Sequence, residues 1–122
     1  MEITGTIEVN ALQVHSCHGV GGQERLVGND FEVSLSVECP MSDAMSSDNL
    51  DGTVSYADLV DIIKGEMSVP SMLIEHVARR IIDAVTVGFP QITAGRVTVA
   101  KLLPPIPGCQ LDNAAVTLRW RR

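Results

Sequence analysis

A single lysine lies among apolar residues in the stretch Ala100-Lys101-Leu102-Leu103-Pro104-Pro105-Ile106-Pro107-Gly108. The residues before it alternate as a β-strand does, and side chains two positions apart on a strand point to the same face of the sheet. Lys101 therefore shares a face with the apolar residues Val97 and Val99, and we expect its amine to point inward. An amine held partly away from water can act as a general acid or base near neutral pH.

The alternative for Lys101 is that the strand ends first and the long side chain reaches back to water, as lysines at strand ends often do. The proline-rich segment that follows favours an inward amine, because prolines fix the backbone next to Lys101.

Two glutamates and a tyrosine are further candidates for chemistry. Glu75 is predicted in the first turn of a helix, where it could accept two parallel N–H donors from a heterocycle, or simply be solvated. Glu24, in a glycine-bearing segment, could orient a water molecule or relay a proton, although a single surface acid more often does neither. Tyr56, the only tyrosine, could stack on a flat ligand or pack at the start of a helix.

The histidines and cysteines do not form a recognisable metal site. His15 and His18 are three residues apart, which places them on opposite faces of a strand, and His76 has no histidine or cysteine at a helical ligand spacing. No glycine-rich phosphate loop or dinucleotide fingerprint occurs. The sequence therefore predicts an activity without a bound metal or cofactor. The cysteines are odd in number and widely separated, and we expect buried thiols of a reducing compartment at Cys17, Cys39 and Cys109.

Length and charge limit the classes of function. The chain has 122 residues and a formal net charge of -6, which predicts one domain over residues 1–122 and argues against nucleic-acid binding through a dense basic surface. Its basic cluster, Arg119-Trp120-Arg121-Arg122, is interpreted as the solvated end of a strand. No apolar segment approaches the roughly 20 residues needed to cross a bilayer, and no signal peptide is recognisable. We expect a cytoplasmic protein with neither a nucleic-acid nor a membrane partner.

The apolar pattern predicts four β-strands. The clearest is the second, in which alternate residues from Phe31 to Cys39 are apolar. The first changes its apolar parity along its length, and a β-bulge near Asn10 and Ala11 accounts for the change. The predicted strands are residues 2–15, 31–39, 96–103 and 114–122.

Two helices are predicted between the second and third strands. The first begins after Ser55, an N-cap residue with Asp58 three positions later. The second begins at Pro70 and ends near Gly88. The remaining stretches rich in glycine, serine and aspartate are predicted to be connecting loops, at residues 18–24 and 40–51.

A sheet of four strands has two open edges, and their unpaired backbone groups invite pairing with another chain. Closing the sheet into a larger barrel with copies of the same chain would remove both edges, so we expect a cyclic homo-oligomer. The sequence thus predicts an α+β fold in which two helices cover one face of a four-stranded antiparallel sheet.

Five motifs occur in order between about Ile7 and Arg119: His18-Gly19, Gln23-Glu24-Arg25 with Gly28 and Phe31, Thr53-Val54-Ser55-Tyr56, Leu73-Ile74-Glu75-His76-Val77-Ala78, and Lys101 with Pro104-Pro105-Ile106-Pro107-Gly108. Together they resemble the dihydroneopterin aldolase family of folate biosynthesis. The resemblance implies the tunnelling fold, in which four subunits close one β-barrel as a tetramer and two such rings stack as an octamer. It also implies retro-aldol cleavage of 7,8-dihydroneopterin, a pterin, to 6-hydroxymethyl-7,8-dihydropterin and glycolaldehyde, with or without epimerisation at C2'. The family needs neither metal nor Schiff base, because the ring imine of the pterin accepts the electrons.

The same resemblance implies roles for the candidate residues. Lys101 matches the family's acid/base lysine, and Glu75 matches the glutamate that binds the amino and ring N–H edge of the pterin, with the backbone of Ile74 beside it. Glu24 matches a loop glutamate near the substrate's side chain. Tyr56 matches a catalytic and substrate-binding tyrosine that enters from the adjacent subunit, so the site is expected at a subunit interface.

Two alternative functions remain open at this point. A close relative of the family is an epimerase that acts on dihydroneopterin triphosphate; a triphosphate needs several convergent basic groups, and only Arg25 lies near the motifs. The other alternative is a non-catalytic pterin or purine binder with the same fold. The presence of both Lys101 and Glu24 argues against a silent binder.

Overall fold

The computed structural model describes every residue from Met1 to Arg122. One antiparallel sheet contains all four strands in the order β1-β2-β3-β4, so each strand pairs with its neighbour in sequence. The strands are β1 (Thr6–Ser16), β2 (Asn29–Glu38), β3 (Ala94–Lys101) and β4 (Ala114–Arg121). The helices are α1 (Gly22–Val27), α2 (Ser42–Ser47), α3 (Tyr56–Met67) and α4 (Ile74–Gly88), with a 3-10 turn at Leu50–Gly52. The predicted α+β fold with a four-stranded antiparallel sheet is confirmed.

The core lies between one face of the sheet and the two long helices. On β2, Phe31, Val33, Leu35 and Val37 are buried, in the alternation that the sequence predicts. The facing helix residues are also buried: Leu59, Ile63 and Met67 from α3, and Val77, Ala78, Ile81, Ile82 and Val85 from α4. Full burial of one such large aliphatic side chain contributes about 1.5–3 kcal/mol. This shared core fixes the positions of α3 and α4 on the sheet.

The opposite face of the sheet is polar and uncovered within one chain. A groove of about 630 Å³ crosses it, lined by residues that include Glu8, Glu38, Arg96, Arg119 and Arg121. Arg96 and Arg119 are direct cross-strand partners, so two positive charges face each other on β3 and β4. The acidic lining residues belong to β1 and β2, and the charge of this face therefore changes sign from one edge of the sheet to the other.

The predicted β-bulge in β1 is confirmed. The pairing of β1 with β2 shifts register between Val9 and Leu12, and Ala11 has a positive φ of 57°. The backbone N–H of Ala11 donates to Ser34 Oγ at 2.9 Å instead of joining the ladder. The bulge lets apolar residues before and after it face the same core.

The first long helix begins where the sequence predicts, but without the predicted side-chain cap. Ser55 is the N-cap residue of α3, and its side chain makes no capping hydrogen bond. The N–H of Asp58 donates instead to the backbone carbonyl of Ser55 at 3.1 Å. The backbone therefore satisfies a donor that the capping-box prediction assigned to a hydroxyl.

The predicted start of the second long helix is wrong. Helix α4 begins at Ile74 and not at Pro70, and it ends at Gly88 as predicted. Ser71 is buried before the helix begins, and its backbone N–H and C=O bond to residues in another part of the chain. These distant partners hold residues 70–73 outside the helix.

Both predicted loops contain short helices that the sequence analysis missed, α1 within the first connection and α2 within the second. Each has six residues and no buried residue. A helix of this length without a buried stripe leaves no periodic apolar signal to detect.

None of the helices combines the length and the apolar character needed to span a membrane.

Two further expectations need correction. Of the cysteines predicted to be buried, Cys39 is buried, Cys17 is intermediate and Cys109 is exposed, because the loop that carries it leaves the sheet. The basic C-terminal cluster is not simply solvated, since the Arg122 guanidinium donates to the carbonyls of Ile92, Phe89 and Thr86 at 2.7, 2.8 and 3.1 Å.

Candidate functional site

Lys101 is the last residue of β3 and points inward, as its position on the strand predicts. It lies directly opposite Phe31 of β2, and its Nζ atom is 5.9 Å from the centroid of the Phe31 ring. Only 14% of the Lys101 side chain is exposed. The alternative in which this side chain reaches freely into water is therefore wrong.

Glu24 of α1 meets Lys101 directly. Its Oε2 atom accepts a hydrogen bond from Lys101 Nζ at 2.5 Å, and only 19% of its side chain is exposed. The hydrogen bond from Lys101 is the largest influence and lowers the pKa of Glu24. Burial opposes it, and the positive charge of Lys101 and a backbone hydrogen bond from Gly21 lower the pKa further. Glu24 is therefore a carboxylate at neutral pH that forms an ion pair with the Lys101 side chain.

A glycine makes room for the Glu24 side chain. A Cβ atom on Gly19 would lie 2.5 Å from Glu24 Cβ and 2.7 Å from its Oε2 atom, distances that no side chain tolerates. The N–H of Gly19 donates to the carbonyl of Ser71 at 3.0 Å. The loop after β1 therefore lies between the Lys101–Glu24 pair and the segment that leads into α4.

His18 is buried at the centre of this arrangement. Its Nδ1 atom accepts a hydrogen bond from the backbone N–H of Ser71 at 2.9 Å, so the neutral ring carries its proton on Nε2. The ring packs edge-to-face on Phe31, with 5.2 Å between the centroids and 76° between the planes. Its Nε2 atom is buried without a hydrogen-bond partner.

The surroundings keep His18 uncharged at neutral pH. Burial is the largest influence and lowers the pKa of His18 to about 4, and the charges of Arg80 and Lys101 act in the same direction. The carbonyl of Met67 opposes them, although it does not meet hydrogen-bond geometry with Nε2. A histidine with such a low pKa is not a proton carrier near neutral pH.

Ser71 connects His18 to a polar network on α4. Its Oγ atom accepts a hydrogen bond from Arg80 Nη2 at 2.9 Å and lies 2.7 Å from His76 Nδ1. Arg80 also forms an ion pair with Glu66 of α3 at 3.0 Å. Each polar group of Ser71 is therefore satisfied, and the segment before α4 is tied to both long helices.

Ile74 and Glu75 are the first two residues of α4, a few positions after Ser71. Ile74 packs at the edge of the core. The Glu75 side chain is exposed and has no hydrogen-bond or salt-bridge partner within the chain. An unpaired carboxylate beside the start of the helix is available to bind N–H donors of a ligand.

Tyr56 and Arg25 stand apart from these residues within one chain. Tyr56, the first residue of α3, is 69% exposed, and its hydroxyl bonds to no other residue. Arg25 on α1 is exposed and forms no ion pair. The chain by itself thus unites Lys101 with Glu24, links them through Gly19 and Ser71 to the start of α4, and leaves Tyr56 outside.

The segment after Lys101 is held by β2. Leu102 donates its backbone N–H to the carbonyl of Asp30 at 2.9 Å, and Asn29 Nδ2 donates to the carbonyl of Leu103 at 2.6 Å. These two bonds fix the chain as it leaves β3, before the prolines begin. Asn29 therefore supports the position of Lys101, a role that the sequence analysis did not predict.

The positions of His18 and Ser71 were not predicted from the sequence. His18 was interpreted only as a possible metal ligand and as part of a motif, and Ser71 was predicted inside a helix. The available signal was the isolated histidine beside Gly19 at the end of an apolar strand. No three histidine, cysteine, aspartate or glutamate side chains converge in a way that could hold a metal ion.

The model of the dihydroneopterin aldolase family matches residues 7–119 of the chain. The dihydroneopterin aldolase of Bacillus subtilis is 36% identical over 106 residues, which cover 84% of this chain and 86% of the relative. The dihydroneopterin aldolase of Methylorubrum extorquens is 35% identical over 113 residues, covering 92% of this chain and 86% of the relative. The matched range includes all the site residues described above.

A solved structure shows the same fold. The crystal structure of Escherichia coli dihydroneopterin aldolase in complex with neopterin superimposes with a TM-score of 0.85 and 19% sequence identity, covering 95% of this chain and 98% of that one. At this identity the likeness establishes the arrangement of strands and helices. That protein binds a pterin on the same framework.

Proposed function

The chain belongs to the dihydroneopterin aldolase family, and from this premise we propose that Lys101 and Glu24 perform the acid/base steps of 7,8-dihydroneopterin cleavage. The observation that supports this assignment is the 2.5 Å contact between Lys101 Nζ and Glu24 Oε2, formed by two sheltered side chains. A fixed amine beside a carboxylate can remove a proton from a hydroxyl and return it to another atom.

In net terms the reaction breaks one carbon–carbon bond and transfers one proton from the 2'-hydroxyl to C1'. The 2'-hydroxyl of the substrate loses its proton, and the C1'–C2' bond breaks to release C2' and C3' as glycolaldehyde. The bonding electrons pass to the ring imine, whose N5 atom gains a proton. A proton then joins C1' as N5 loses one, and the 6-hydroxymethyl product results. Lys101 serves as the acid/base group near C2'. Glu24 lies near the substrate's side chain and accepts a hydrogen bond from Lys101.

Glu75 binds the heterocycle in this proposal. Its carboxylate accepts the amino and ring N–H donors of the pterin in parallel, and the backbone of Ile74 lies beside it. The free carboxylate at the start of α4 supports this role, because it has no partner within the chain. Glu75 therefore provides affinity, whereas Lys101 and Glu24 provide turnover.

Tyr56 completes the site from an adjacent subunit in this proposal. Its exposure of 69% suits a side chain that reaches into the site of a neighbouring copy.

The outer edges of β1 and β4 have no partner within the chain, and pairing one with the other around a ring closes the barrel. On the polar face of the sheet, opposite the helices, Glu8 on β1 and Arg119 on β4 give the two edges opposite charges. This favours head-to-tail contact between subunits. The assembly is a tetrameric ring or a stacked octamer.

The test of this function is an assay for glycolaldehyde in the presence of a chelator, with 7,8-dihydroneopterin and, separately, its triphosphate as substrate. We expect release from the unphosphorylated substrate. Release from neither substrate contradicts the proposal. Inversion of the triphosphate at C2' without release of glycolaldehyde, monitored by chromatography of the pterin, favours an epimerase.

The residue assignment is tested by Lys101→Ala. We expect turnover to fall by more than about 1000-fold, in line with the loss of a general acid/base group and its positioning, while a pterin product analogue still binds in calorimetry. Lys64→Ala is the matched control, because Lys64 is an exposed lysine of α3 and its loss changes the net charge equally. Full turnover by Lys101→Ala would refute the role of the lysine.

A further inference from the structure

The two parts of the proposed site come from segments that are far apart in sequence. The acid/base part consists of Lys101 and Glu24, 77 residues apart, and the heterocycle-binding part is the start of α4 with Ile74 and Glu75. A bound substrate has to reach both parts at once. The reaction is therefore sensitive to the distance between them, since misplacement by about 1 Å can lower a rate about 100-fold.

One buried side chain, that of His18, contacts a residue next to each part: Phe31, which lies opposite Lys101, and Ser71, which precedes α4. The His18 ring packs edge-to-face on Phe31, the residue that lies opposite Lys101 and beneath its ammonium. Its Nδ1 atom accepts the N–H of Ser71, which precedes Ile74 by three positions. His18 is fully inaccessible, so solvent does not compete for either contact.

A second connection runs parallel to the first. Gly19 donates its N–H to the carbonyl of the same Ser71, and Glu24 packs against Gly19. Two consecutive residues thus hold both backbone groups of Ser71. The hydrogen bond between Gly19 and Ser71 joins only backbone atoms, whereas the hydrogen bond between Ser71 and His18 depends on a side chain that mutation can change.

Ser71 is fixed from its other side as well. Arg80 donates to Ser71 Oγ at 2.9 Å and to the carbonyls of Val69 and Glu66 at 2.6 and 2.9 Å. The segment whose Ser71 N–H donates to His18 is therefore also hydrogen-bonded to Arg80 of α4, which bonds in turn to Glu66 of α3. A displacement at Ser71 moves the start of α4, and an acceptor at His18 prevents that displacement.

We infer that His18 is a positioning residue for the cleavage reaction, holding the start of α4, with Ile74 and Glu75, at a fixed distance from the Lys101–Glu24 pair. This inference rests on the proposed function of those residues. His18 acts through a neutral acceptor nitrogen and a packed ring, and it neither touches the substrate nor transfers a proton.

Two substitutions separate the acceptor from the ring. His18→Phe keeps an aromatic ring against Phe31 and removes the acceptor for Ser71. His18→Asn removes the ring and places an amide oxygen at the same distance along the side chain as Nδ1, where it can accept the same N–H. Val85→Ala is the control for stability alone, since Val85 is buried and lies about 15 Å along α4 from Glu75 at 1.5 Å per residue.

We expect His18→Phe to lower kcat per folded molecule about 10- to 100-fold, because the bound heterocycle no longer presents its side chain correctly to Lys101. The Kd of a pterin product analogue should change less than about 3-fold, because Glu75 still binds the heterocycle. His18→Asn should recover at least about 5-fold of the lost kcat, and Val85→Ala should lower the melting temperature with unchanged kcat. Hydrogen exchange of the Ser71 amide should be faster in His18→Phe than in the wild type and slowed again in His18→Asn.

Unchanged kcat per folded molecule in His18→Phe, or no recovery in His18→Asn, overturns the positioning role. Unchanged exchange of the Ser71 amide in His18→Phe overturns it independently of activity. If the wild type releases no glycolaldehyde while the exchange pattern is as expected, the proposed function fails and the structural connection made by His18 stands. If the wild type is active and His18→Phe is equally active, only the positioning role fails.

Discussion

The two ends of α4 are held by different kinds of contact. At the N-terminal end, a buried neutral histidine and a backbone N–H fix Ser71, and the carboxylate of Glu75 stays unpaired. At the C-terminal end, the guanidinium of Arg122 donates to three backbone carbonyls in and after the helix. The N-terminal end therefore combines structural support with an unpaired carboxylate, and the C-terminal end provides structural support alone. On the proposed function of Glu75, its substitution affects ligand binding, whereas substitution of Arg122 affects only stability.

Glu75→Ala, which removes the unpaired carboxylate, tests the N-terminal end of α4. We expect Glu75→Ala to weaken binding of a pterin product analogue at least about 100-fold, because two charge-assisted hydrogen bonds of about 1.5–3 kcal/mol each are lost. The melting temperature should stay nearly constant, since Glu75 is exposed and unpaired in the chain. Calorimetry and thermal unfolding measure the two quantities.

Glu2→Ala is a matched control for Glu75→Ala, because it removes one exposed acid that precedes β1 and belongs to none of the site segments. Equal affinities of the Glu75 variant and the wild type would show that the start of α4 does not bind the heterocycle. A large loss of stability would show instead that the carboxylate supports the fold.

Removing the guanidinium tests the other end. Arg122→Ala should lower the free energy of unfolding by about 2 kcal/mol, because three carbonyls lose a charged donor near the surface. Arg122→Lys should recover only part of this, since an ammonium cannot match the fork of a guanidinium. Urea unfolding measures the loss, and kcat should be unchanged under conditions where the protein is folded. A drop in kcat of the folded Arg122 variant would contradict the separation between the two ends.

The sequence predicted the buried face and the C-terminal end of α4 correctly, but not its start. The buried stripe and the end at Gly88 follow from local spacing of apolar residues, and the structure confirms them. The start was wrong because the partner of the Ser71 N–H is His18, 53 residues away. Local propensity carries no information about such a partner, and so residues 70–73 looked helical.

The candidate site shows the same division between local and distant information. The inward direction of Lys101 follows from strand periodicity alone. Its pairing with Glu24 does not, since that contact depends on how the loop after β1 folds over the end of β3. The apolar pattern could not predict the exposure of Tyr56 either. A residue in the first turn of an amphipathic helix can be buried or exposed.

The smallest expected effect is a pH dependence of the free energy of unfolding that arises at the N-terminal end of α4 and not at its C-terminal end. The folded pKa of His18, about 4, lies below the unfolded value of 6.5, so between these pH values the unfolded chain binds more protons than the folded one. Stability conferred by the neutral ring is therefore complete above pH 6.5, declines as the pH falls toward 4, and declines no further below that value. The charges of Arg80 and Lys101 add to the effect of burial in disfavouring the protonated ring.

We expect the stability difference between the wild type and His18→Asn to shrink by on the order of 1 kcal/mol across this pH window, because each pKa unit corresponds to about 1.4 kcal/mol before the site relaxes. The difference between the wild type and Arg122→Ala should stay constant. Urea unfolding at a series of pH values measures both differences and cancels the carboxylates that titrate in every variant. A difference for His18→Asn that does not vary with pH would mean that a protonated ring is accommodated beside Ser71, and the neutral acceptor would then not be what holds the N-terminal end of α4.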